Sequence, residues 1–99
     1  MRVVVSEAAL ADLEAIGDFI AQDNPARAVS FVDELLDSCL ALADRPKAHV
    51  LVPRYEQHGI RRKVHGSYLI FYRAEQDVIH VLHILNGARD YEALLFSDR

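Results

Sequence analysis

An α+β fold is predicted for this chain: an N-terminal strand, an antiparallel two-helix hairpin and a mostly antiparallel β-sheet, in the order β-α-α-β-β-β. Three observations carry the expectation. Up to Ala43 the apolar residues recur at helical spacing, interrupted only at Asp23-Asn24-Pro25, a break too short for anything but a reversal. From Gly59 onward the pattern changes to β-branched and aromatic residues punctuated by turn signals. The chain is 99 residues long, which fits one domain spanning 1–99 and leaves no room for a second core.

Met1 to Val5 opens the chain as a short strand, because Val3, Val4 and Val5 are stiff at χ1. Ser6 offers an N-cap oxygen and Glu7 a carboxylate for the positive end of a helix dipole. The helix runs to about Gln22, with Ala9, Leu13, Ile16 and Ile20 along one face. Asn24 can close this helix or cap the next, and Pro25 suits the first position of that next helix, since a first-turn N–H has no intrahelical acceptor. That helix reaches about Ala43, with Ala28, Val32, Leu35, Leu36, Cys39, Leu42 and Ala43 on one stripe.

Arg45-Pro46 ends the hairpin, and the segment to His58 reads as irregular, Pro53 limiting any strand at Val50 to Val52 to an edge. Three strands follow, Gly59 to Val64, Ser67 to Ala74 and Asp77 to Asn86, with His65-Gly66 as the first turn. Gly87 ends the last strand and leaves ARDYEALLFSDR as a tail with one helical turn at Glu92 to Leu95. In that register Lys63 faces Tyr68, Arg61 faces Ile70, Arg62 faces Leu69 and Ile60 faces Phe71. One sheet face then holds Ile60, Arg62, Val64, Leu69 and Phe71; the other holds Arg61, Lys63, Tyr68, Ile70 and Tyr72. The helices are assigned to the first face, which leaves cations beside tyrosines on the second. Such a face suits phosphate with stacked bases, or an acidic and partly apolar protein surface. Its alternative is a solvated face where Arg and Lys stems cover rings. The last strand is apolar on both sides, Val78, Leu82 and Ile84 against Ile79, Val81 and Leu85, so a cover is expected on each: the helices, and a partner.

The net charge of −4 conceals an asymmetry. Residues 1–44 carry nine acids and two bases, net −7, whereas residues 45–99 carry net +3 and all five histidines. A basic region within an acidic chain points to a local anionic partner, not to a general nucleic-acid coat. The N-terminus carries acids where a signal peptide needs an apolar run, and no stretch approaches the roughly 18 apolar residues of a span, so a cytoplasmic protein without membrane contact is expected. Cys39, the only cysteine, reads as a small core residue with no basic neighbour to activate it.

No metal or cofactor is expected. His80 and His83 lie three apart on a strand, hence on opposite faces, and no cysteine or carboxylate cluster completes a site. Phosphate-binding, dinucleotide and hydrolase-elbow motifs are missing from the sequence. What remains is a basic set with a tyrosine: Arg61, Arg62, Lys63, Arg73, Arg89 and Tyr91, which together with Tyr68 and Tyr72 makes up the expected partner-binding residues. Cleaving RNA through its own 2′-hydroxyl needs cations, a general base and a general acid. The cations are numerous; an obvious base is not.

The helical hairpin followed by GIRRKVHGSYLIFYR and DVIHVLHILNGARDYEALL resembles the ParE branch of the RelE/ParE toxin superfamily. Gly59-x-Arg61, the Leu69-Ile70-Phe71-Tyr72-Arg73 strand and Gly87-Ala88-Arg89-Asp90-Tyr91 carry the likeness, which spans nearly the whole chain. The resemblance implies a growth-arresting toxin that poisons DNA gyrase and is neutralised by a ParD-like ribbon-helix-helix antitoxin, so that nucleic acid is met only through gyrase or the antitoxin. RelE-type relatives instead cut mRNA on the ribosome, a role in which Arg61, Arg73 and Tyr91 would be the candidate catalytic residues here. Many relatives have His just before the Gly-x-Arg element, where this chain has Asn86. Asn does not shuttle protons at neutral pH, which favours a binding function over a nuclease.

Overall fold

A computed structural model describes residues 1–96; the last three residues of the tail, 97–99, lie outside the described part. The elements follow the expected order: β1 (Arg2–Val5), α1 (Glu7–Ala21), α2 (Pro25–Leu40), β2 (Arg61–His65), β3 (Tyr68–Glu75), β4 (Val78–Asn86) and α3 (Tyr91–Phe96). Short 3-10 turns at Ala41–Ala43 and Glu56–His58 complete them. The sheet order is β1-β4-β3-β2, with β1 parallel to β4 and the other pairs antiparallel.

The caps set the helix starts. Ser6 Oγ accepts the Ala9 N–H at 3.0 Å and donates to the Leu82 carbonyl at 3.0 Å, so one hydroxyl starts α1 and ties it to β4. Asn24 Oδ1 accepts the Arg27 N–H, with Pro25 opening α2. The two helices approach closely where Gly17 faces Val32; a Cβ on Gly17 would lie 3.3 Å from a Val32 methyl.

The hairpin packs on the sheet face opposite to the one assigned from sequence. Ala9, Leu13, Ile16, Leu35, Cys39 and Leu42 form one core with Ile70, Tyr72, Ile79, Val81 and Ile84. A second core, Val52, Ile60, Phe71 and Leu85, fills the other face and is covered by Tyr55, Tyr91, Leu95 and Phe96. The second cover expected from a partner is therefore supplied at least in part by the chain's own loop and α3. Both faces of β3 are apolar enough to be buried, so the strand pattern did not decide which one the helices take.

The β2–β3 turn also differs. His65 pairs with Tyr68, Lys63 with Ile70 and Arg61 with Tyr72, so Gly66-Ser67 is the turn in place of His65-Gly66. Gly66 has φ +60, as the first central residue of a II′ turn requires. This shift moves every pair by two residues and so leaves the membership of the two faces unchanged. Gly59 (φ +72) closes the Glu56–His58 turn and is not part of β2. The Val50–Val52 segment contributes one bridge, Leu51 to Arg61, at the β2 edge.

A bulge in β4 alters its alternation. Phe71 pairs with His83 but Tyr72 with Val81, so Leu82 is the extra residue. Ile84 consequently joins Ile79 and Val81 in the helix-side core, and Leu82 and Leu85 go to the second core. Asp12 of α1 holds the irregularity: its Oδ2 accepts the Ile84 N–H at 2.9 Å and lies 2.8 Å from His83 Nδ1.

Candidate functional site

The predicted site residues fall into two groups separated by the sheet. Arg61, Lys63, Tyr68 and Tyr72 are on the helix side, not on an open face. Lys63 Nζ donates to the Ser38 carbonyl at 2.9 Å, in the last turn of α2. That turn carries no basic residue of its own, so Lys63 supplies the cation its negative dipole end favours. Arg61 donates to the carbonyls of His49 (2.8 Å) and Lys47 (3.4 Å), pinning the loop after the helices. Tyr72 is fully buried and its hydroxyl donates to the Pro46 carbonyl at 2.8 Å. It is a core residue and offers no contact surface, contrary to the sequence expectation. Tyr68 is half-buried, 5.7 Å ring to ring from Phe31.

Arg62, Arg73 and Tyr91 lie on the other side. Arg62 Nη1 donates to the Tyr91 hydroxyl at 2.7 Å, and the Tyr91 ring lies 4.9 Å from that of Phe71. Arg73 donates through Nε and Nη2 to the His58 carbonyl, with Glu75 at 4.0 Å. Arg89 is exposed beyond β4, where Asn86 Oδ1 accepts the Ala88 N–H and the Asn86 carbonyl accepts that of Arg89. Arg61 is thus on the opposite side of the sheet from Arg73 and Tyr91, and the three do not converge. The residue that meets Tyr91 is Arg62.

These cations share a feature: Arg61, Arg62, Lys63 and Arg73 are held mainly by neutral oxygens. Carbonyls and a phenol orient a guanidinium without cancelling its charge, so the field around β2 and β3 stays positive. Its effects reach neighbouring groups. Burial pushes the Cys39 thiol up to about 11, with Lys63 opposing. A basic neighbour absent from the sequence reading is therefore present, but desolvation outweighs it and the thiol is inert. Burial raises the Tyr72 phenol, with Arg61 opposing, and lowers His49, with Lys63 and Arg45 adding to the effect.

Three features escaped the sequence reading. The C-terminal helix is latched by Arg54, whose Nη2 meets both Glu92 oxygens at 2.9 Å, and by Tyr55 stacked on Phe96 at 3.9 Å. Asp12 and His83 form a contact across 71 positions, beside the β4 bulge. Finally, a groove of about 340 Å³ runs between α1 and the sheet, bordered by Asp12, Phe19, Tyr68, Asn86 and Arg89. The one available signal was Phe19, a large apolar residue off the helix stripe and 66 % exposed. Among the described residues no cluster of His, Cys, Asp and Glu could hold a metal, and no helix is long and apolar enough to cross a membrane.

The comparisons with known proteins agree with this architecture. No curated protein matches the chain. A solved structure described as "Chromosomal ParDE TA system from P. aeruginosa" superposes with a TM-score of 0.72 at 22% identity, over 87% of this chain and 95% of that one, a likeness of fold. The family model described as "ParE toxin of type II toxin-antitoxin system, parDE" matches residues 3–91, from the second residue of β1 to the first of α3. With nearly every element inside that match, the chain belongs to the ParE toxin family of type II toxin–antitoxin systems.

Proposed function

We propose that this chain arrests growth in the cytoplasm as a non-enzymatic inhibitor of DNA gyrase, stabilising the cleaved DNA complex, and that a ParD-like antitoxin neutralises it. The family match over residues 3–91 is the observation that carries the reading. The placement of Arg61 across the sheet from Arg73 and Tyr91 speaks for binding and against RNA cleavage, since a phosphorane needs its cations and acid together. Purified toxin should inhibit supercoiling by gyrase and cause linear cleaved DNA to accumulate. Normal supercoiling at excess toxin overturns the proposal, and codon-phased cuts in translated messages would transfer the activity to the ribosome.

Antitoxin and target contacts are assigned to Arg62, Arg73, Arg89 and Tyr91, with Tyr68 at the rim of the groove beside α1. Arg61 and Lys63 contribute field, with Arg61 Nη1 and Lys63 Nζ drawn inward to carbonyls of the chain. Main-chain pairing would use the β2 edge beyond Arg62. Val50 and Val52 already pair with Arg62 and Ile60, and Val64, two residues on, is 67 % exposed. Reversing Arg73 and Arg89 to Glu should weaken the antitoxin complex and reduce its salt sensitivity; unchanged affinity removes this face from the interface.

A further inference from the structure

A second groove lies on the outer side of the helical hairpin, away from the sheet and from every cation discussed above. Its volume is about 530 Å³, within the size range of ligand-binding clefts. The floor is apolar, and Gly17 of α1, packed closely against Val32 of α2, puts no side chain on it. Val29 stands along it with 65 % of its surface exposed. The rim is acidic, with Glu14 and Asp18 on one side and Asp33 on the other, and among the described residues no basic one lines it. Residues 7–40 contain eight acids and one base, Arg27. That base is engaged at 2.7 Å by Glu34, so it leaves the rim unneutralised.

We infer that this groove between α1 and α2 docks a basic amphipathic helix of a partner protein, apolar side chains on the floor and Lys or Arg facing the rim. Charge complementarity selects the occupant. A second copy of this hairpin would bring two surfaces of the same sign together, and so would a nucleic acid or an anionic membrane. A helix fits because its i, i+3, i+4 and i+7 positions form one apolar ridge while its flanks carry the cations. The groove also differs in sign from the cationic surface around β2 and β3, which calls for acidic residues. The two surfaces therefore engage different segments, and the inference holds whether or not gyrase is the target.

The probe is a labelled helical peptide of about 15 residues with Leu at i, i+4, i+7 and i+11 and Lys on both flanks, matched to one with Glu for every Lys. Anisotropy should show saturable binding of the lysine peptide that weakens with salt, and at least about tenfold weaker binding of the glutamate peptide. Val29→Ser, at an exposed position, and the pair Asp18→Lys with Asp33→Lys should each weaken the lysine peptide about tenfold while the variants keep the parent far-ultraviolet circular dichroism and thermal midpoint. Saturable binding missing up to about 1 mM, equal binding of both peptides, or indifference to both variants overturns the inference. Concentration-dependent dimerisation that Val29→Ser abolishes would also overturn it, assigning the groove to a second copy.

Discussion

Tyr72→Phe separates a core tyrosine from a binding one. The ring is fully buried within the helix-side core and the hydroxyl reaches the Pro46 carbonyl at 2.8 Å. Phe keeps the ring and its packing, so only the hydrogen bond is lost, a net of about 0.5–1.5 kcal/mol. The carbonyl left behind is partly buried and close to the loop surface, where water can replace the phenol, so the full penalty for an orphaned acceptor does not apply. The expected loss is about 1 kcal/mol, which for a chain of this size lowers Tm by about 4–8 °C. Urea denaturation and a thermal scan measure it. Antitoxin affinity and growth arrest should be unchanged at temperatures where the variant is folded. A variant with wild-type stability but weakened affinity would refute the reasoning, because it would mean that the hydroxyl is available to a partner. Tyr72→Ala is the wrong test, since a buried aromatic truncation costs about 3–5 kcal/mol and confounds function with unfolding.

Asp12→Ala should destabilise the fold by about 1–3 kcal/mol in urea, because it orphans the Ile84 N–H at the bulge and releases His83; Asp12→Asn, which keeps one acceptor, should recover part of this. Cys39, whose thiol is raised from 9.0 to about 11, contributes stability that is fully present below pH 9 and lost as pH rises through about 11. Stability curves of the parent and Cys39→Ala should therefore converge between these values, and parallel curves would contradict the assignment. Arg54→Gly sets two small effects against each other. It removes an exposed ion pair worth about 0–1 kcal/mol and relieves a non-glycine residue at φ +72, a conformation costing about 1 kcal/mol. The measured change should lie within about 1 kcal/mol of zero, and a larger loss would show that the Arg54–Glu92 latch is cooperative with Tyr55 and Phe96.

The helices were legible because their signals are local. Ser6, Asn24 and Pro25 act within three residues of themselves, and the stripe from Ala28 to Leu42 is regular over four turns. Register was less so: His65-Gly66 and Gly66-Ser67 both give Gly66 its positive φ, and only packing along the strands distinguishes them. The choice of sheet face was not local at all. It depends on whether Ile70 and Tyr72 or Phe71 and Leu85 meet the larger helices, and on α3, six residues whose contacts lie dozens of positions upstream. The bulge is further still from the sequence pattern, since the bonds on either side of it, from Ser6 Oγ to the Leu82 carbonyl and from the Ile84 N–H to Asp12, span more than seventy residues.

Burying both faces of β3 has a functional consequence. A sheet covered on one side by α1 and α2 and over much of the other by α3 and the Tyr55 loop has little central surface left for a partner. The surface that remains for the proposed contacts is at the sheet edges, at the cations of the rims and on the outer side of the helices. The chemistry of those places is opposite in sign: guanidinium groups on neutral oxygens near β2 and β3, and the carboxylates of Glu14, Asp18 and Asp33 along the hairpin. A partner that wraps the molecule must then alternate in charge along its own sequence, acidic where it passes Arg62, Arg73 and Arg89 and basic where it crosses Val29. A uniformly acidic ligand could occupy the first surface but would be repelled from the second, and raising the salt should weaken its grip on the former while easing its approach to the latter.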